Sequence, residues 1–313
     1  MAGCASVRYH RSVLHGITVS LTRWHLAFAA PPPDLTPARL RGMVLFRYRR
    51  MVCPRTRWRS DCSRCPLLSE CSYGAVFAAR PPAVPNLSRN RTVPRPYLFR
   101  LEPTGAFTFS LLLVGSANAL FPRIRTLFDQ VGRRGVIPGG TQFRVALVRA
   151  VTTVGLTGLE PGAVPPLVPL SRLVPHPRPA SEVRIEFLTP ASIKERGTLI
   201  RHPRPAAVIS RIRDRLSALS IFWCGHEPAW DFRAIGERAA TIRLEGDETR
   251  WVSAHRVSGT SGHRFPLSGF TGTARWIGVP ADLWPLLTAG ELVGVGKGCI
   301  FGNGHYRLTP LVP

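Results

Sequence analysis

The sequence predicts a mixed α+β protein made of two successive βαββαβ units. Three observations lead to this prediction: the same order of strand-like and helix-like segments occurs twice, each half has a glycine-rich stretch before its last strand, and a Pro-rich run separates the halves. We place the units at residues 17–160 and 183–313, with the linker at 161–182. Proline can neither propagate a helix nor join the interior of a sheet, so this run marks a boundary.

The first unit opens with residues 17–28, where apolar and polar side chains alternate as in a half-buried strand. Residues 36–52 follow as a helix, with Pro37 in its first turn and an apolar stripe that includes Leu40, Val44 and Tyr48. Strands are then expected at 97–102 and 106–114, a helix at 121–131, a glycine-bearing turn at 132–140 and a strand at 143–154.

The second unit repeats this order. It is predicted to contain strands at 183–188, 251–257, 270–279 and 304–311, helices at 206–219 and 281–292, and a Gly-rich loop at 294–304. Two such units are tandem ferredoxin-like (RRM-like) domains, in which a four-stranded antiparallel sheet carries its helices on one face. The other face is then open to a ligand such as RNA.

The charge of the chain favours a polyanionic partner. Forty-two basic residues against eighteen acidic ones give a net charge of +24, and the surplus is spread along the whole chain. All but two of the basic residues are arginines, which bind phosphate with a planar fork and stack on bases, so nucleic acid fits better than a membrane. No apolar stretch reaches the roughly 18 residues of a membrane span, and His15, Arg23 and His25 interrupt the N-terminal apolar region, so a cytoplasmic protein is expected.

Four cysteines follow the first predicted helix, with one Cys-x2-Cys pair among them: Cys53, Cys62, Cys65 and Cys71. Four thiolates can hold a tetrahedral metal, and an ion would give order to a short segment that has no core of its own. Zinc is the first choice, while an iron–sulfur cluster is allowed by the same ligands. The site would be structural, because four thiolates leave zinc no open position.

The stretch 294–308 contains five glycines and Lys297, one of the two lysines. Its exposed N–H groups, with Lys297 among them, would make a cradle for a phosphate. A tight turn before an edge strand explains the same glycines. The residues alone do not separate these two interpretations.

Several segments of the chain resemble the RAMP superfamily, and within it the CRISPR pre-crRNA-processing endoribonucleases. Residues 33–43 with the cysteine cluster resemble their first helix, and residues 109–117 with Gly132-Arg-Arg-Gly135 resemble their middle section. The most specific match runs from residues 266–272 through Gly296-Lys297 to Phe301-Gly-Asn-Gly304. These segments span roughly residues 17–311 in the right order, which is stronger than any single glycine loop.

The resemblance implies metal-independent cleavage of CRISPR repeat RNA by attack of a 2′-OH, which leaves a 2′,3′-cyclic phosphate. Where relatives often carry a histidine on the first helix, this chain has none, so His25 is the first candidate for the base and His255 the second. Tyr48 is a further catalytic candidate, acting by stabilising charge. The candidate RNA-binding residues are Arg39, Arg41, Arg133, Arg134, Arg211, Arg215, Arg256, Gly296, Lys297, Gly302 and Gly304.

The main alternative on the same fold is a non-catalytic crRNA-binding subunit of a CRISPR effector complex. A zinc-bearing ribosome-associated protein is a more remote option, in which the doubled glycine loops would be coincidental. The expected partners are CRISPR repeat RNA or crRNA and other effector subunits, with no membrane.

Overall fold

The computed structural model describes residues 14–29, 35–53, 62, 65–68, 70–77, 93–102, 107–135, 141–174, 179–257, 262 and 264–311. Its contacts divide the chain into two compact units. The N-terminal unit contains Thr18–Val168 and Phe222–Cys224, and the C-terminal unit contains residues 14–17, Pro169–Ile221 and Gly225–Pro313. In the described part of the chain, no helix is both long enough and apolar enough to cross a membrane.

The N-terminal unit has an antiparallel sheet, the two predicted helices and one short helix that was not predicted. Its strands and helices in chain order are β1 (Thr18–Phe28), α1 (Pro37–Val52), α2 (Ser72–Phe77), β2 (Tyr97–Leu101), β3 (Thr108–Val114), α3 (Phe121–Arg134), β4 (Phe143–Thr152) and β5 (Gly155–Gly158). The sheet order is β2-β3-β1-β4-β5. The first strand of the unit therefore lies at the centre of the sheet, between β3 and β4.

One face of this sheet is covered by α1 and α3, and an aromatic core fills the contact. Trp24 of β1 packs against Phe109 of β3 and against Phe121 and Phe128 of α3. Helix α1 begins at Pro37 because the Thr36 side chain accepts a hydrogen bond from the Arg39 N–H, which satisfies a donor left over at the helix start. Since side chains alternate along a strand, the residues next to Trp24 project to the opposite face, which we call the open face.

The run at 161–182 is not a structureless connection. It contains a two-residue strand β6 (Val168–Pro169) and a short helix α4 (Leu170–Leu173). Leu170 is fully buried, and its N–H donates to the Ile17 carbonyl at 2.8 Å. The contacts divide the two units within this run, after Val168, and the run also contains a packed turn of helix that was not predicted.

The C-terminal unit has a second antiparallel sheet, with the order β10-β13-β7-β14. Its elements in chain order are β7 (Glu182–Ala191), β8 (Lys194–Glu195), β9 (Thr198–Leu199), α5 (Pro205–Cys224), α6 (Phe232–Ala240), β10 (Arg243–Val252), β11 (His255–Val257), β12 (Arg264–Pro266), β13 (Gly269–Ile277), α7 (Trp284–Val293) and β14 (Tyr306–Leu311). Strand β7 lies between β13 and β14, just as β1 lies between β3 and β4 in the first sheet. Both sheets are consistent with ferredoxin-like folds.

Several elements of this unit differ from the prediction, including the short strands β8, β9 and β12, which were not predicted. The strand expected at 251–257 is instead β10 from Arg243 together with the separate strand β11, and helix α6 was not predicted at all. Strand β10 lies at an edge of the sheet, and none of its residues is fully buried. Its sequence is charged on both faces, so it lacks the alternation by which strands are recognised.

Candidate nucleic-acid interface

The structure places His25 and Arg41 on opposite faces of the N-terminal sheet. His25 lies on the open face, where its Nδ1 is 2.7 Å from the Thr108 hydroxyl oxygen on the neighbouring strand. Arg41 lies on the helix-covered side, where its Nε donates to the Tyr97 hydroxyl at 3.0 Å. The sequence-based prediction treated these residues as parts of one site. Within this unit the fold separates them.

Tyr48 is a core residue of α1. Its side chain is only 3% exposed, its hydroxyl donates to Ser72 Oγ at 3.0 Å, and it accepts from Arg123 Nη1 at 3.1 Å. These contacts tie α1 to α2 and α3. Because the phenol faces protein on all these sides, its catalytic assignment does not agree with its position.

The exposed surface of α1 combines arginines with one aromatic ring. Arg39 and Arg50 are exposed, and Phe46 is 49% exposed, with the Arg50 guanidinium 5.9 Å from its ring centre. At the end of α3, Arg133 and Arg134 are also exposed. These positions suit contact with a phosphate backbone, as predicted for Arg39, Arg133 and Arg134.

The predicted metal site is not supported by the geometry. In the part of the chain that the structure describes, no three His, Cys, Asp or Glu side chains are arranged to hold an ion. The four candidate cysteines are half-buried. Burial raises the pKa of the Cys62 thiol, Arg49 opposes this rise, and the thiols of Cys53, Cys71 and Cys65 add to it. The sulfurs are thus electrostatic neighbours without forming a ligand set.

The Gly-rich loop of the C-terminal unit uses most of its backbone N–H groups internally. Lys297 N donates to Ser192 O at 2.9 Å, Gly304 N to Pro190 O at 3.0 Å, and Val295 N to Gly304 O at 2.9 Å. The N–H groups of Phe301, Gly302 and Asn303 donate to carbonyls within the loop. Gly302 and Gly304 therefore serve the turn, and the predicted cradle of backbone N–H groups is largely filled by the protein itself.

Close packing explains why glycine is needed at two of these positions. Gly296 has φ +82°, and a Cβ there would lie 2.5 Å from the Ser192 carbonyl oxygen. Gly304 has φ +70°, and a Cβ there would overlap the Val295 carbonyl. A left-handed backbone and a crowded neighbour together exclude any side chain. The interpretation as a tight turn before an edge strand accounts for these glycines.

Lys297 of the loop lies near the second lysine of the chain, Lys194. Ser192 and Lys297 form an isolated antiparallel bridge, which brings the loop beside the β8–β9 hairpin that carries Lys194. Burial, and then the positive charge of Lys194, lower the pKa of Lys297. Lys194 was not predicted as a site residue. Its one sequence signal is that it is the only other lysine in the chain.

A third cationic group lies in the same unit. The Arg256 guanidinium is 4.3 Å from the Phe301 ring centre in the loop and 5.1 Å from the Phe265 ring centre in β12. Both distances are within the range of cation–π attraction, which fixes this arginine beside the loop. The neighbouring His255 is exposed on β11. Arg256 thus contacts Phe301 of the loop that carries Lys297, and we call Lys194, Lys297 and Arg256 the basic cluster.

Arg211 and Arg215 on α5 make intramolecular contacts. Arg215 Nε donates to the Val293 carbonyl at 2.7 Å, at the C-terminal end of α7, where a cation offsets the helix dipole. Arg211 lies 3.4 Å from Asp214 in an exposed ion pair. The RNA-binding prediction for Arg215 does not agree with this position, because its guanidinium already joins two helices.

We expect Lys297→Ala to reduce the salt dependence of RNA binding by one phosphate contact. On single-stranded RNA, that lowers the slope of log K against log salt by about 0.7. Since the pKa of Lys297 is lowered, the wild type loses this contact as pH rises through that value, whereas Lys297→Arg keeps it. Binding titrations at several salt concentrations and pH values measure both effects. An unchanged slope in the alanine variant would remove Lys297 from the interface.

Comparisons with known proteins find CRISPR-associated relatives. Residues 185–306 match the family model of the CRISPR-associated endoribonuclease Cas6, and residues 26–160 match an N-terminal domain family. The Cas6 endoribonucleases of two Mycobacterium tuberculosis strains are 29% identical over 233 residues, which cover 71% of this chain and 69% of theirs.

Solved structures agree in fold. Thermus thermophilus Cas6 superposes with a TM-score of 0.53 at 17% identity and covers 94% of this chain and 99% of its own. A partial Cas6-RT-Cas1–Cas2 complex gives a TM-score of 0.54 at 11% identity over 95% of this chain and 46% of that chain.

These matches point first to a class: the matched family model and the curated relatives are CRISPR-associated endoribonucleases, and the solved Cas6 structures share the fold of this chain. The relatives within that class are Cas6 proteins, so the resemblance stated from the sequence and the predicted endoribonuclease activity are confirmed.

Proposed function

We propose that the chain cleaves precursor CRISPR RNA within its repeats, and that it consists of two tandem ferredoxin-like domains. The observation that carries the activity is the Cas6 match over residues 185–306, which includes both the basic cluster and the Gly-rich loop. The equivalent strand order in the two sheets supports the tandem architecture. A cytoplasmic location is proposed with this function, since RNA transcripts are made there.

The proposed reaction needs no metal. A base takes the proton of the 2′-OH next to the scissile phosphate, and the 2′-oxygen forms a bond to phosphorus. The P–O5′ bond breaks, and the 5′-oxygen takes up a proton. The products are a 2′,3′-cyclic phosphate and a 5′-OH. Cations around the phosphate stabilise the charge that develops in the transition state, a role that Lys297 and Arg256 suit.

His25 is the first candidate for the base because its ring is half-exposed and oriented. A proton can be taken at Nε2 only when Nδ1 carries the hydrogen, and Thr108 Oγ1 is 2.7 Å away to accept it. His255 is exposed but has a different setting, on the β11–β12 hairpin. The two histidines belong to different units, so one substitution at each position tests them separately.

The decisive experiment incubates the protein with labelled repeat RNA in excess EDTA. A product that ends in a 2′,3′-cyclic phosphate supports the proposed reaction. Tight binding of RNA that stays intact supports instead the non-catalytic crRNA-binding subunit, for which the lack of a histidine on α1 is the favouring observation. Other CRISPR proteins are proposed as partners, and a pull-down with the products of neighbouring CRISPR genes tests this.

Structural zinc on the four cysteines is a separate proposal, supported by their spacing in the sequence. We expect about one equivalent of zinc in the purified protein, and Cys62→Ser/Cys65→Ser should lose that metal and unfold at a lower temperature. Cys224→Ser, outside the cluster, is the control and should keep the metal. Elemental analysis and thermal unfolding measure the two effects. A wild-type protein without metal would eliminate the site.

A further inference from the structure

The open face of the N-terminal sheet carries a row of arginines that the sequence pattern did not reveal. Pairing across the strands places Arg100, Ser110, Arg23, Arg149 and Gly158 side by side, from β2 to β5. We call these five residues the arginine row. Ser110 is buried and Arg100 is half-buried, so the exposed part of this row lies on β1, β4 and β5. Arg23 and Arg149 are both exposed, and neither makes an ion pair within the part of the chain that the structure describes.

The arginine row is electrostatically unfavourable for the protein alone. Arg23 and Arg149 are direct cross-strand partners, and like charges in such positions destabilise a sheet. The row itself contains no carboxylate. Glu102, which follows β2, lies one row away, beside Thr108 and His25. Another exposed arginine, Arg144, is paired with Ala27 on the far side of His25. An anion bound here would relieve the repulsion.

The corresponding face of the C-terminal sheet is charge-balanced. Arg275 donates to Glu182 at 2.5 Å, and Arg307 lies 4.0 Å from Glu186. A depression of about 510 Å³ on this sheet is lined by Arg184 and Arg275 but also by Glu245 and Glu248. Arg184 and Arg275 are cross-strand partners too, so they match Arg23 and Arg149 in geometry and differ in having acidic neighbours.

We propose that an extended, single-stranded stretch of RNA lies on the open face of the N-terminal sheet over β1, β4 and β5, with its phosphates on Arg23 and Arg149. The balanced face of the C-terminal sheet takes no part in this contact. An open antiparallel sheet suits single-stranded RNA. The arginine row carries no aromatic ring, so the contact reads the sugar-phosphate chain and not the bases. The inference rests on the proposed function only in taking RNA as the ligand.

The test compares Arg23→Ala/Arg149→Ala with Arg184→Ala/Arg275→Ala in the full chain, since both variants lose two positive charges from paired strand positions. The probes are a repeat RNA made resistant to cleavage by a 2′-deoxy substitution and an unrelated single-stranded RNA of equal length. We expect the first variant to lower the slope of log K against log salt by about 1.4 on both RNAs. The control should keep the wild-type slope.

Three results would overturn the proposal: no change in the first variant, an equal change in both variants, or a loss confined to the repeat sequence. An unchanged RNA slope together with lost binding of an acidic peptide would assign the face to a protein partner instead. Circular dichroism and Arg23→Gln/Arg149→Gln show whether any loss comes from misfolding. If wild type neither binds nor cleaves repeat RNA, the proposed function fails; if it cleaves while the first variant behaves as wild type, only this inference fails.

Discussion

Replacement of His25 by alanine is expected to lower the rate of repeat RNA cleavage by roughly 100- to 10,000-fold, the range for loss of a general base. Binding of the RNA should change little, because an imidazole that only accepts a proton contributes little ground-state affinity. Single-turnover cleavage with enzyme in excess measures the chemical step, and a parallel titration measures binding. The pH–rate profile should also lose the limb that reports the ionisation of the base.

Two further variants make this result specific. Thr108→Val removes the hydroxyl that orients His25 Nδ1 and should slow cleavage by a smaller factor than His25→Ala. His255→Ala should cleave as wild type. Full activity in His25→Ala would transfer the role of base to another residue, and loss of activity in His255→Ala would point to the β11–β12 hairpin.

The sequence predicted the fold well where side chains alternate between core and solvent. Strand β1 and helix α3 were predicted because each has one buried side, with Trp24 and Phe128 in the same core. Edge strand β10 was missed because it has no fully buried residue, and helix α6 because only Ile235 and Ala239 among its nine residues are buried. A regular apolar pattern arises because one side of an element is buried. Elements that bury few side chains therefore show a weak pattern.

The site was harder to predict, because strand register decides which charged residues meet. Arg23 and Arg149 are 126 positions apart in the chain and become neighbours only through the pairing of β1 with β4. Arg215 is also an arginine of a basic chain, so the sequence does not distinguish it from Arg23 and Arg149. Its guanidinium, however, donates to the Val293 carbonyl at the end of α7. The glycines of the loop suggested a phosphate cradle, yet their backbone is needed for contacts with residues 190–192. The abundance of arginine was enough to predict a nucleic-acid ligand. Which arginines can face that ligand depends on tertiary contacts that the sequence does not show.

Gly304→Ala is expected to destabilise the protein by roughly 2–5 kcal/mol, the sum of left-handed strain and overpacking. The new Cβ would overlap the Val295 carbonyl and separate two backbone hydrogen bonds, Val295 N to Gly304 O and Gly304 N to Pro190 O. Gly197→Ala is the matched control, since Gly197 also has a positive φ, +87°, but nothing lies within 4 Å of its Cβ position. The control should lower the free energy of unfolding by only about 1–2 kcal/mol, which is the strain of a left-handed backbone at a residue with a side chain.

Urea unfolding of the two variants beside wild type separates crowding from backbone strain. A larger loss in Gly304→Ala than in Gly197→Ala means that the loop is held against the sheet by close backbone contact, as the hydrogen bonds to residues 190 and 192 indicate. RNA binding by Gly304→Ala should weaken as well, because Lys297 is positioned by the same contacts. Equal losses in the two variants would show that the loop adjusts to a side chain, and then its rigidity would not explain how Lys297 is positioned.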